Sequence, residues 1–226
     1  MSSMDSSPPL FPGRAAGPVP SVGADTASLA DPWSVRVGAW VFRQRSWLPV
    51  PLAIAILVGG RSEGPGWQVL SGVLLAVVGE GLRLWSVRHI GSISRTRSLT
   101  RLGPFIRSGP FRVMRNPLYV GNWLLWTGFT MAARSFWMLP VVWAVLAVQD
   151  RVIVQWEETR LRERFGAGYE QYLRDVPRWL PRPWAPRSPE PAVVHPWSAV
   201  TIGERGTLGS IALGALLLYL RAALWP

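Results

Sequence analysis

The chain has 226 residues, 49% of them hydrophobic, with 14 Trp, no Cys, and 24 basic against 13 acidic residues for a net charge of +11. The lack of Cys excludes disulfides, thiolate metal sites and cysteine nucleophiles, and the two histidines, His89 and His195, lie far apart without metal-ligand spacing, so no metal centre is expected. Every basic residue is Arg, and Arg88, Arg95, Arg97, Arg101, Arg107, Arg112 and Arg115 share one connection between apolar runs; this is the charge placement of a membrane protein, and no nucleic-acid partner is expected.

In chain order, residues 1–32 are rich in Ser, Pro, Gly and Ala without an apolar run, which predicts a disordered tail and not a signal peptide. From Trp33 to Gln44, Trp33, Val37, Trp40 and Val41 recur at helical spacing with Arg36 and Arg43 opposite, which predicts a helix lying in the membrane interface. A first span is expected from Trp47 to Gly60. It covers only about 21 Å at 1.5 Å per residue, short of a full crossing. The second span, Trp67 to Val87, is long enough.

Two further apolar segments, Leu118–Ala133 and Phe136–Val154, are separated only by Arg134-Ser135 and must form an antiparallel hairpin. A polar helix is predicted over Asp150–Phe165, then a Pro-rich linker over Trp184–Pro196, then a last apolar helix over Leu208–Leu224. The expected fold is all-α, a polytopic membrane bundle of about five transmembrane helices. Three units are expected: the tail 1–32, a membrane domain 33–183, and the linker and last helix 184–226. Counting arginines sets the loop 88–117 and the segment 155–187 on the cytoplasmic side.

Two polar segments break the apolar pattern. In "GPFRVMRNPLYVGN" (109–122), Asn116-Pro117 is an efficient helix start, Asn as cap and Pro at the first position. Capping leaves Arg115, Tyr119 and Asn122 unexplained, polar groups in the first turns of a membrane helix. In "EETRLRERFGAGYEQYLRDVPRWLP" (157–181), Glu158 with Arg162 and Glu170 with Arg174 are spaced for ion pairs along a helix, and Tyr169 and Tyr172 fit an interfacial position. Glu80 and Arg83, three apart inside the second span, suit either an internal ion pair or the lining of a tunnel, and His89 suits an interfacial position.

Taken together, the two segments resemble the signature of the isoprenylcysteine carboxyl methyltransferase and phospholipid methyltransferase superfamily, integral membrane enzymes that use S-adenosylmethionine. In that family the first motif reads approximately G-P-Y/F-x-x-x-R-H/N-P-x-Y-x-G and the second E-E-x-x-L-x-x-x-F-G-x-x-Y-x-x-Y-x-x-x-V-P-R-x-x-P. "GEGLRLWSVRHIG" (79–91) is similar to the family's second-span region, so the resemblance covers about residues 67–181. Asn116 stands where eukaryotic carboxyl methyltransferases carry His and resembles bacterial members.

The resemblance implies an enzyme of a bacterial inner membrane with a cytoplasmic cofactor-binding helix and loop. S-adenosyl-L-methionine is the implied cofactor, held by Arg115, Asn116, Pro117, Tyr119, Gly121, Glu157, Glu158, Tyr169 and Tyr172. Its partner would be a lipophilic small molecule or lipid that accepts the methyl group. Arg115, Glu157 and Glu158 are the candidate catalytic residues: an arginine would orient a carboxylate acceptor, whereas an amine acceptor would need a carboxylate as base. The last helix lies outside both motifs and is expected to be dispensable for cofactor binding. The competing reading is a non-enzymatic membrane transporter or assembly subunit.

Overall fold

The computed structural model describes residues 33–45, 47–61, 64–91, 106–182 and 194–224. The tail 1–32, Arg95, Arg97, Arg101 and most of the linker lie outside the described residues. All the regular structure described is helical: α1 (Trp33–Gln44), α2 (Pro49–Gly59), α3 (Gly66–Ile90), α4 (Pro117–Ala132), α5 (Leu139–Phe165), α6 (Ala167–Asp175) and α7 (Trp197–Leu224). Short 3-10 turns at Gly109–Arg112 and Phe136–Met138 lead into α4 and α5.

Among the described residues, three helical units are long and apolar enough to cross a membrane: α3, Phe136–Phe165 and α7; α1 and α2, bent by 56° at their junction, make a fourth when taken together. The expected count of about five, which included α2 and α4 as spans, is not confirmed. At 11 and 16 residues they reach about 17 and 24 Å, less than the roughly 30 Å of hydrocarbon.

α3 and α4 form the centre of the bundle, and small residues explain why. A Cβ placed on Gly79 would lie 2.6 Å from the Leu125 backbone nitrogen and 2.7 Å from the Gly121 carbonyl oxygen; one on Gly72 would lie 2.6 Å from the Gly128 carbonyl oxygen. Backbone therefore rests on backbone along this seam. α4 and α5 are the antiparallel hairpin that the two-residue separation requires, pinned by Trp123 Nε1 donating to Asp150 Oδ2 at 2.7 Å and Trp143 Nε1 donating to Thr127 at 3.0 Å.

The predicted polar helix is not separate. α5 runs unbroken from Leu139 to Phe165, about 40 Å, carrying the apolar hairpin segment directly into the motif carboxylates. It stops at Gly166, whose φ of 51° is left-handed. α1 also differs from the sequence pattern. Ala39, Val41 and Phe42 pack on Ile153 and Trp156 of α5, whereas Trp33, Val37 and Trp40 point outwards. Of the apolar stripe read from the sequence, Trp33, Val37 and Trp40 thus face outwards and Val41 alone joins Ala39 and Phe42 in the helix contact.

Candidate active site

The two motif segments meet at one end of α4. Arg115 N donates to Pro177 O at 2.9 Å and Arg182 N to Val113 O at 2.8 Å, so the backbones pair over a short stretch. Tyr172 OH donates to Phe111 O at 2.7 Å, and Asn116 Nδ2 donates to Arg178 O at 3.3 Å. Asn116 occupies the cap position of α4 by sequence, but its side chain makes no cap hydrogen bond. The expected capping is replaced by this tie to Arg178, because the second motif's extended end offers an acceptor where the amide points.

Glu158, buried on α5, is held from several sides. Arg115 Nη1 lies 2.8 Å from Oε1, Arg178 contacts both carboxylate oxygens at 3.2 and 2.5 Å, and Arg162 stands 3.7 Å away. The predicted Glu158–Arg162 proximity is therefore present. The predicted Glu170–Arg174 pair is not: the reversal at Gly166 brings Glu170 back to Arg162, 2.9 Å away, and Arg174 donates to Gln171 instead. Arg115 Nε is buried without a hydrogen-bond partner, an unmet donor at the centre of the site.

These groups line a cavity of about 780 Å³, within the range of small-molecule sites. Arg115, Asn116, Tyr119, Glu157, Glu158, Tyr169 and Tyr172 all face it. Glu157 accepts a hydrogen bond from the Tyr119 hydroxyl. Tyr169 and Tyr172 are buried with ring centroids 5.8 Å apart, and burial pushes both phenols above their ordinary pKa, with nearby carboxylate or phenol charge adding to the shift. The two remaining positions implied at the cofactor lie elsewhere. Pro117 is fully buried at the start of α4, and Gly121 faces α3, where a Cβ would lie 2.6 Å from Arg83 Cγ.

The cavity also has walls that the motifs do not supply. α7 contributes Glu204, Thr207, Ser210 and Gly214, and the end of α1 contributes Arg45. Polar Thr201, Glu204 and Thr207 interrupt the apolar run and concealed the first turns of α7, so the helix starts at Trp197 and not at Leu208. Glu80 and Arg83 do form an ion pair, at 3.0 Å, and Arg83 bonds further to Asn122 and Glu204. Arg178, in the "VPR" of the second motif, is a further site residue that the sequence reading did not single out. His89 is buried, its Nδ1 3.0 Å from Trp85 O, and packs over Gly109, whose φ is 57°; a side chain there would collide with the imidazole.

Two curated relatives are similar to the chain. One is the nickel-cobalt-cadmium resistance protein NccN of Alcaligenes xylosoxydans xylosoxydans, 27% identical over 168 residues and 71% of each chain. The other is the cobalt-zinc-cadmium resistance protein CzcN of Cupriavidus metallidurans, 28% identical over 155 residues, 65% of this chain and 64% of that protein. The chain thus spans about two thirds of the length of these relatives. No solved structure matches. Residues 67–168, the segment that holds α3, the first motif and the Glu157-Glu158 turn of α5, match the phospholipid methyltransferase family, which is part of the isoprenylcysteine and phospholipid methyltransferase superfamily.

Proposed function

We propose that the protein is an S-adenosylmethionine-dependent methyltransferase of the bacterial inner membrane, with its active site at the cytoplasmic face and a lipophilic acceptor drawn from the bilayer. The observation that carries this reading is the convergence of Arg115 and Glu158, 43 residues apart in sequence, on one cavity that continues between apolar helices. The unmet Arg115 Nε suits the cofactor's carboxylate, and the Glu157 carboxyl suits its amino group or ribose hydroxyls. Tyr169, Tyr172 and Asn116 would close the polar wall around it. When bound, the cofactor supplies an electrophilic methyl carbon already activated by its sulfonium.

The chain's own tasks are then alignment and exclusion of water. Glu158 has both oxygens engaged by arginines, so its role is to fix Arg115 and the second motif. Glu157, bonded to the Tyr119 hydroxyl, would take a proton from an amine acceptor. The metal resistance in the relatives' names fits such an enzyme, since methylation alters the charge or hydrogen bonding of the lipid surface that a metal cation meets.

Calorimetry on the purified protein tests the reading. The protein should bind S-adenosylmethionine and S-adenosylhomocysteine, and Arg115→Ala should weaken both by more than about tenfold. A folded protein that binds neither is not this enzyme and fits the transporter or assembly-subunit alternative.

A further inference from the structure

At the end of the bundle opposite Glu158, three segments each deliver an arginine to one rim. Arg61 follows α2, Arg134 follows α4 with a left-handed φ of 56°, and Arg221 sits in the last turn of α7. Hydrogen bonds to main chain gather them: Arg61 N donates to Ala133 O at 3.2 Å, Arg134 N to Met131 O at 2.8 Å, and Arg221 Nη2 to the Gly60 carbonyl. All three border a second cavity of about 690 Å³ between α3, α4 and α7, within the range of small-molecule sites. Its other walls are almost wholly apolar. Among the described residues the carboxylate that borders it is Glu80, at the far end and engaged by Arg83.

The rim is net positive. Glu63, between Arg61 and Gly64 in the sequence, offsets one guanidinium at most. The helix ends nearly cancel, since α2, α4 and α7 finish here and α3 and α5 begin, which leaves about half a negative charge. A positive rim over an apolar cavity suits a ligand that joins a phosphate to hydrocarbon, because guanidinium groups bind phosphate oxygens in pairs. Trp67 and Trp137 are exposed at this end and mark the level of the bilayer interface. The cavity is also long enough for an acyl chain. Glu80 lies about 21 Å from the start of α3 at 1.5 Å per residue, whereas one leaflet supplies about 15 Å of hydrocarbon. Val73, Val77 and Tyr219 line the cavity and are themselves exposed, so a chain can enter sideways from the bilayer.

We infer that this cavity binds an anionic phospholipid, with its phosphate among Arg61, Arg134 and Arg221 and one acyl chain between α3, α4 and α7. A zwitterionic lipid offers the same phosphate but adds an ammonium beside three arginines, so the site selects against it. The 16 residues of α4, about 24 Å, separate the rim from Arg115 and Glu158. The lipid is therefore a resident component and not the methyl acceptor, and its binding does not depend on methyl transfer. Arg61 and Arg221 lie outside the matched segment 67–168, so the site belongs to this chain's own flanking helices. Leu125, Phe129 and Ile211 border both cavities, and the bound chain backs the wall they share.

The test titrates the full chain in detergent with dioleoyl phosphatidylglycerol and dioleoyl phosphatidylethanolamine, which share their acyl chains and differ in headgroup charge, and follows bound lipid by native mass spectrometry. The wild type should bind the anionic lipid at least about fivefold more tightly. Combining Arg61→Gln with Arg134→Asn, Asn being a residue that accepts left-handed backbone, should remove most of that preference. Val77→Phe keeps all three arginines and fills the cavity from an exposed position; it should weaken phosphatidylglycerol binding by at least about fivefold. Equal affinity for the two lipids in the wild type overturns the inference. A preference that survives the arginine variant assigns the lipid to other basic surfaces and overturns it too. If the arginine variant does not fold, undiminished binding in Val77→Phe overturns it. So does a dimer free of lipid, in which a second copy covers the cavity.

Discussion

Two arginine–carboxylate networks border the same cavity, and they are opposite in sign and in construction. At Glu158, three arginines surround one carboxylate; at Arg83, two carboxylates share one guanidinium. The first joins residues 43 and 20 apart, all inside the two motifs. The second reaches across 121 residues to a helix that no motif announces. The contrast is one of construction: a carboxylate clasped by motif arginines at one end, and carboxylates of α3 and α7 meeting on one arginine at the other. It also separates what a short motif can encode from what only long-range packing assembles.

The sharpest way to break this contrast is to remove each network's carboxylate. Glu158→Ala strands Arg115, whose side chain is only 16% exposed, and should cost about 3 kcal/mol. Glu204→Ala leaves Arg83 its bonds to Glu80 and Asn122 and should cost nearer 1 kcal/mol. Unfolding of both variants in one detergent compares them, and equal losses would show that the networks are not distinct in weight.

Tyr172→Phe probes the seam between the motifs more gently. It removes the bond to Phe111 O and should cost about 1.5 kcal/mol. It should also change the alkaline limb of stability. The buried phenol is raised above its ordinary value, so the folded protein keeps a proton that the unfolded chain loses above about pH 10. Stability fully present below that pH is therefore lost as pH rises beyond it, and the variant should lose less over the same interval. Parallel melting curves from neutral to alkaline pH for the two proteins decide.

The smallest expected effect falls on Asn116. Because its amide donates to Arg178 O and makes no cap bond, Asn116→Ser and Asn116→Ala should lose a similar 0.5–1 kcal/mol, about the value of one neutral hydrogen bond. A cap would spare the Ser variant. Near-wild-type stability of Asn116→Ser beside a weakened Ala variant would return the residue to capping.

These differences track what was legible in the sequence. The hairpin of α4 and α5 followed from two residues of separation, and α1 and α3 from periodicity and apolar length. Convergence of Arg115, Glu158, Tyr169 and Tyr172 followed from the paired motifs and not from any property of either alone. Glu204 was hidden for a physical reason: one acid among Thr201, Arg205 and Thr207 reads as a solvated approach to a helix until Arg83 is known to face it. Asn116 misled because its sequence position is that of a cap, and only the approach of the second motif offers its amide a better partner. The continuity of α5 was obscured by its change from apolar to charged halfway along, which marks a change of surroundings and not a break in the backbone.

The seam between α3 and α4 has a consequence for motion. With Gly72, Gly79, Gly121 and Gly128 bringing main chain against main chain, no side-chain layer remains that could change rotamer to let one helix slide or turn against the other. The two helices must travel as one body, and their amides should be among the slowest to exchange with deuterium. Breathing of the cavities is left to α7, which meets that body through Arg83 and through Phe129 beneath Gly214, and meets the end of α2 through Arg221 on the Gly60 carbonyl. A rigid two-helix plate with one movable wall can admit a bulky chain without disturbing the residues fixed around Glu158.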